Sequence, residues 1–398
     1  MHHRFNPSRS TLRALAFVLI VTPAALFGSA TRIGFQDADA TMRGNAFTAT
    51  ADSPAAIYYN PAGLTQLQGQ SFSATAYVVQ LDTSFSGPAG AAKMKRENNL
   101  IPHFYYAYAP EGKNYAFGLG GYSPFGLSTN WGSASVLSPL TTKAEQKTYS
   151  LAAVGALQIT PTLSIGAGPV FQRADTKLSR QTILGEYTFD GSGNALGFNA
   201  GIRWQPAKEH SFGLSYQHHY TIKLDGTAAI AGAVPAQSAN TDFVFPEVII
   251  AGYSYRPAPG WNLEFNLDWT NWDRVNSLTI ISGSPAPLGV AQAFNWKSGF
   301  FYDFGVTRTF NNGFAVSAGY TYAENSIPDS TFTPAIPDSN RNLFALGGSY
   351  HTGGLKLSLT YQFGYSPSRT VSGSPLGLAD GTYHNSTQAI AASVDYRF

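Results

Sequence analysis

The side chains that could carry covalent chemistry are few and poorly spaced for it. His218 and His219 are neighbours, and paired imidazoles suit proton transfer or metal binding. They lie in a segment where apolar and polar residues alternate, however, and successive side chains on a strand point to opposite faces. No shared metal or catalytic pair is expected of them. Hydrolases built on a strand–turn–helix elbow carry Gly-x-Ser-x-Gly, which is absent here, as are a complete Gly-x-Gly-x-x-Gly and a Walker phosphate loop. Cysteine is also absent, which excludes thiol chemistry and disulfides. The expectation is a protein that is not an enzyme, with no catalytic residue, metal or cofactor.

The elements that must position whatever function remains are read from the pattern. Arg4, Arg9 and Arg13 precede an apolar run from Ala14 to Phe27, closed by Gly28, Ser29 and Ala30. A basic stretch, a short apolar core and a small-residue cleavage site make a secretory signal peptide over residues 1–30. Pro23 interrupts a run already shorter than the roughly 20 residues of a membrane anchor. His2 and His3 leave with this peptide, and 22 of the 25 basic residues remain against 23 acidic ones. That balance excludes a nucleic-acid partner, which needs a basic face. Charged residues are only 12% of the chain, half the usual share, while aromatic residues reach 14% and glycines number 40. No later stretch is long and apolar enough for a transmembrane helix. In lipid only helices and closed barrels satisfy every backbone group, so the composition points to a barrel.

Alternation supports that reading. Trp261, Leu263, Phe265, Leu267 and Trp269 share one face, with Asn262, Glu264, Asn266 and Asp268 on the other. Leu355, Leu357, Leu359, Tyr361 and Phe363 repeat the pattern, and Phe212, Leu214, Tyr216 and Tyr220 are set against Ser215, Gln217, His219 and Thr221. The fold class expected is all-β, a transmembrane antiparallel β-barrel of about fourteen strands. They run near 70–85, 99–110, 113–126, 143–160, 162–180, 193–206, 209–225, 242–257, 260–275, 296–310, 313–325, 341–352, 354–367 and 386–398. Tight turns rich in Pro, Gly and Asn alternate with long loops, and the last strand ends on Tyr396 and Phe398. Two stretches should depart from regularity. Pro246 cannot donate to a ladder, so a bulge is expected at Phe243–Glu247. Gly118, Gly120, Gly121, Pro124 and Gly126 should kink the third strand and open a gap in the wall. Residues 31–69 carry Asp37, Asp39, Arg43 and Asp52 and read as short helix and turn. A barrel this wide needs filling unless it is an open channel, so the segment is expected inside as a plug, with the barrel over 70–398.

Gly34-Phe35-Gln36 and Tyr58-Tyr59-Asn60-Pro61-Ala62-Gly63-Leu64 resemble the N-terminal hatch of the FadL/TodX family of outer-membrane transporters. Ser123-Pro124-Phe125-Gly126, Phe245-Pro246-Glu247, Trp269 with Trp272, and Ile336-Pro337-Asp338-Ser339-Asn340-Arg341 are similar too, in order along the chain. The resemblance implies a fourteen-stranded barrel in the Gram-negative outer membrane that takes up long-chain fatty acids or other hydrophobic compounds. It assigns the hatch to Asn60, Pro61, Ala62 and Gly63 and its mobile start to Gly34, Phe35 and Gln36. It puts a lateral exit at Gly120, Gly121, Pro124, Phe125 and Gly126, and offers Arg173 as partner of a ligand carboxylate. Alternation from Leu163 sends Arg173 to the lipid side unless Pro169 shifts the phase, and it could instead stand above the membrane at the strand's outer end. Phe85 and Leu137 are candidates for an outer capture surface. Partners implied are a hydrophobic small molecule, membrane lipid and lipopolysaccharide, around a monomer. A barrel that binds surfaces through its long loops, or an open porin, would share much of this pattern.

Overall fold

The computed structural model describes residues 30–282 and 288–398; the predicted signal peptide lies outside them apart from Ala30. Fourteen antiparallel strands close into one barrel. They are β1 (Gly69–Gly87), β2 (Asn98–Ala109), β3 (Tyr115–Tyr122 and Gly126–Asn130), β4 (Lys143–Thr160), β5 (Leu163–Thr182), β6 (Gly185–Ala207) and β7 (His210–Gln217 and Tyr220–Ile230). β8 (Val234–Phe245 and Val248–Tyr255), β9 (Trp261–Thr270 and Ser277–Ser282), β10 (Gly299–Thr309), β11 (Phe314–Ala323), β12 (Arg341–Thr352), β13 (Leu355–Tyr365) and β14 (Gly381–Arg397) complete it. β1 closes the wall against β14 from Ser71↔Arg397 to Ser86↔Thr382. That closure leaves no sheet edge for lipid to meet, as the low dielectric of the bilayer demands.

The faces follow the sequence. Leu357, Leu359, Tyr361 and Phe363 of β13 point outward, as do Phe344 and Leu346 of β12 and Trp261 and Leu263 of β9. Glu264, Asn266 and Asp268 of β9 are buried in the lumen. Residues 30–68 form an inner segment with helices α1 (Ala38–Met42) and α2 (Ala56–Tyr59) and a 3-10 turn at Pro61–Gln66. It fills the end of the barrel where the short turns lie.

Continuous glycine positions in the wall make room for this segment. A Cβ on Gly319 of β11 would stand 1.9 Å from Gly44 N, and one on Gly201 of β6 would stand 2.1 Å from Asn60 Oδ1. Gly166 of β5 faces Pro61, and Gly213 of β7 faces Thr48 O. Gly costs strand stability, so its recurrence at one level is explained by the close backbone approach.

Candidate functional site

Alternation fails at four neighbouring places, and the failures build the site. In β3, Phe117 and Leu119 point outward, but beyond Ser123–Phe125 the odd positions Phe125 and Thr129 are buried. In β7, Phe212 and Leu214 point outward, yet beyond His218 and His219 the side chains of Tyr220, Ile222 and Leu224 turn inward. β8 flips across Pro246 and Glu247, turning Phe243 and Phe245 inward. β9 breaks into a 3-10 turn at Trp272–Arg274, and Trp272 is fully buried. Because the side-chain period is two, one inserted residue exchanges the faces of everything after it. The flips deliver aromatic rings to the outer half of the lumen. Phe125 and Phe245 lie 5.1 Å apart between ring centroids, Tyr220 and Phe245 4.9 Å, Phe125 and Trp272 5.8 Å, and Trp272 and Trp296 5.1 Å. In this apolar mass the Trp272 and Trp296 indole nitrogens and the Tyr220 hydroxyl have no hydrogen-bond partner among the described residues.

The β3 interruption also opens the wall. Among the described residues β2 forms a ladder with β3 only from Phe104↔Gly121 to Tyr108↔Phe117, while the outer piece of β3 forms its ladder with β4 and accepts from Lys95 N at Asn130 O. Opposite this unpaired edge lies a cavity of about 360 Å³, lined by Leu100 and Ile101 of β2, Phe125 and Leu127 of β3, Met94 and Ile336. The inner segment covers the edge from within. Arg32 bridges to Phe125, Ile33 N donates to Pro124 O at 2.8 Å, and Gly126 N donates to Thr31 O at 2.9 Å. The Gln36 side-chain amide donates to Ser123 O at 2.8 Å and accepts from Ser123 N at 3.1 Å. It thus copies the two-way pairing of a neighbouring strand. Arg32 is held in turn by Asp268 at 2.5 Å and Thr270 at 3.0 Å. Both charges of that pair are buried, and removing either partner from such a pair costs about 3–5 kcal/mol.

Deeper in the barrel the segment is tied by polar contacts. Asn60 caps the 3-10 turn by accepting from Ala62 N at 3.2 Å, and donates to Thr48 O at 2.9 Å and Ile202 O at 3.0 Å. Glu264 accepts from Ala49 N at 2.8 Å and Thr50 N at 3.2 Å. Asp37 caps α1 through Ala40 N at 2.9 Å. Burial, with Asp395 and Asp39 nearby, raises the Asp37 carboxyl to about 7. Burial would lift Asp39 as well, but Arg43 and Lys356 outweigh it and hold that group at about 2.

The structure brings together most residues singled out by sequence. Gly34, Phe35 and Gln36 lie beside the β3 interruption; Pro124, Phe125 and Gly126 form it, and Gly120 and Gly121 lead into it. Asn60, Pro61, Ala62 and Gly63 sit on the barrel's inner wall. Arg173 is a correction. It lies on the outer face of β5, 44% exposed, and pairs with Asp175 at 2.8 Å. Pro169 stays in register with Phe198 and shifts no phase, so Arg173 never reaches the lumen. Phe85 and Leu137 are also corrected, being buried in the apolar mass rather than exposed. His218 and His219 do not diverge, because they occupy the β7 interruption, and their rings lie 4.3 Å apart. Tyr220 accordingly faces inward. Among the described residues no group of acidic and histidine side chains could hold a metal ion. Sequence reading missed Trp296, the Arg32–Asp268 pair and the glycine row. The irregularity at Pro246 was the available signal for the aromatic cluster.

The comparisons with known proteins agree with this architecture. The long-chain fatty acid transport protein of Escherichia coli K12 is 23% identical over 394 residues, spanning 83% of this chain and 87% of that protein. A crystal structure of a Pseudomonas aeruginosa FadL homologue superposes with a TM-score of 0.82 at 17% identity, covering 94% of this chain and 100% of that one. The Ralstonia pickettii toluene transporter TbuX superposes with a TM-score of 0.73 at 17% identity, covering 91% and 98%. The family described as outer membrane protein transport protein (OMPP1/FadL/TodX) matches residues 21–398. A closed fourteen-stranded wall and a family match over nearly the whole chain place this protein in that family, which comprises outer-membrane transporters rather than enzymes.

Proposed function

We propose that this chain takes up hydrophobic small molecules, long-chain fatty acids or aromatic hydrocarbons among them, and releases them sideways into the membrane. The observation that carries the reading is the mostly apolar cavity at the unpaired β2–β3 edge, with Arg32, Asp338 and Arg341 also on its lining, covered from within by Thr31–Ile33 and Gln36. Cargo captured among the external loops enters the aromatic upper lumen, where burial gains about 25 cal/mol per Å² of apolar surface. The free indole and phenol donors there suit a cargo with one polar end. When the first residues of the inner segment leave the β3 interruption, the cavity becomes continuous with lipid. The cargo then crosses no water. Asn60, Pro61, Ala62 and Gly63 keep the rest of the segment seated as a plug meanwhile.

A deletion strain is expected to lose uptake of hexadecanoate or toluene while sugar permeation stays normal. Normal uptake together with lost attachment to surfaces would instead make the protein an adhesin. Deleting residues 34–62 should leave a folded barrel with raised single-channel conductance. Unchanged conductance would remove the plug.

A further inference from the structure

The charged residues around Arg173 form an ordered ladder that the transport route does not use. On the outer face of β4–β7, Lys147 pairs with Glu145 at 2.8 Å and Arg173 with Asp175 at 2.8 Å. Lys177 pairs with Asp190 at 3.0 Å and Lys223 with Asp225 at 3.2 Å. These pairs lie in one continuous register, through Lys147↔Asp175, Lys177↔Asp190 and Asp225↔Ser192. Immediately beneath them the same face is apolar, with Tyr149, Leu151, Phe171 and Leu196 all exposed.

The height of the ladder follows from strand geometry. The outward apolar stripe of β4 runs from Ile159 up to Tyr149. Ten residues span about 33 Å along a strand, or about 25 Å of height at barrel tilt, which is the height of the lipid-facing band. Lys147 is the next outward residue, at headgroup level, on the side of the long loops. A smaller charged group stands on β1, where Asp82 pairs with Lys93 and Arg96, and the ladder on β4–β7 is the longer one. At the outer ends of β11–β14 the corresponding outward positions are Tyr322, Asn342, Tyr365 and Ser386, none of them charged.

We infer that this sector binds the phosphorylated headgroup of lipopolysaccharide in the outer leaflet. Exposed ion pairs are weak in water, so exchanging a carboxylate for a phosphate is cheap. The interleaved acids keep the four cations extended and apart. From β4 to β7 they span about 14 Å, a width that suits a glycolipid with more than one phosphate better than a single-phosphate lipid. Acyl chains would lie on Leu151, Phe171 and Leu196 below.

The test uses the full-length protein purified in mild detergent, with heat-modifiable migration as the control for folding. The triple variant Lys147→Gln/Arg173→Gln/Lys177→Gln should bind lipopolysaccharide at least about tenfold more weakly than the unaltered protein. Lys113→Gln/Lys208→Gln, on the short turns at the opposite rim, should bind as the unaltered protein does. Dephosphorylated lipopolysaccharide should bind poorly. Inorganic phosphate should not displace the glycolipid, and phosphatidylglycerol vesicles should not compete equally. Full binding by a folded triple variant would overturn the assignment. So would equal binding of the dephosphorylated form, displacement by inorganic phosphate, or equal competition by phosphatidylglycerol.

Discussion

Asp37 is the residue at which the seating of the inner segment meets pH. Its Oδ1 caps α1 while its Oδ2 is buried with no partner among the described residues. Asp39, Lys356 and Asp395 are the charged groups around it. With burial the leading cause, its carboxyl titrates near 7 in the seated state against 3.8 when released. The seated state therefore binds the extra proton between those values. Seating is strongest below about pH 4 and weakens as pH rises toward 7, by at most tenfold per pH unit for one group. Asp39, held low by Arg43 and Lys356, acts only below pH 4 and in the opposite direction. Channel openings in a planar bilayer should become more frequent as pH rises from 4 to 7. Asp37→Asn keeps the cap and should flatten that rise; an undiminished slope in the variant would assign the titration elsewhere.

At the level of elements, the inner segment and the wall are matched through missing side chains. Gly319 of β11 is paired with Gly305 of β10 and Ala345 of β12, so the wall is held by its own ladder whatever lies inside. Gly319→Ala would drive its Cβ into Gly44, and the segment, having the fewer contacts, should yield. Expected are a barrel with unchanged resistance to heat and an inner segment whose amides exchange faster with solvent. Loss of heat resistance instead would show that the wall depends on the plug. Such matching was only partly legible beforehand. The fourteen strands could be read because lipid on one side and a polar lumen on the other impose a period of two. The β3 and β8 irregularities were legible from Gly120, Gly121, Pro124 and Pro246. The β7 flip was not, since nothing about His218 and His219 announces an extra residue, and Tyr220 was placed on the wrong face as a result. Arg173 was offered for the lumen by resemblance alone, while plain alternation already sent it outward, and alternation holds throughout β5. Which glycines face the segment depends on where its backbone passes, which no local pattern encodes.

Taken whole, the molecule separates two requirements that oppose each other: a wall that must never open, and a passage that must. Among the described residues the ladder from β1 through β14 is interrupted where β3 turns away from β2, and also between β6 and β7 and between β8 and β9 at their own irregularities. The patch at β3 is the leading stretch of the inner segment, held by two backbone hydrogen bonds and one glutamine. The absence of cysteine allows that patch to be locked without side reactions. Ile33 and Pro124 face each other across the bridge centred on Arg32 and Phe125, and directly opposed positions on antiparallel segments bring Cβ atoms close to disulfide range. Ile33→Cys/Pro124→Cys, oxidised, should therefore bind cargo yet deliver little of it to the membrane, with transport restored by dithiothreitol. Each single variant should transport in both redox states. Full transport by the verified cross-linked protein would mean that the cargo leaves without the inner segment moving from β3, and the exit would have to be sought elsewhere in the wall.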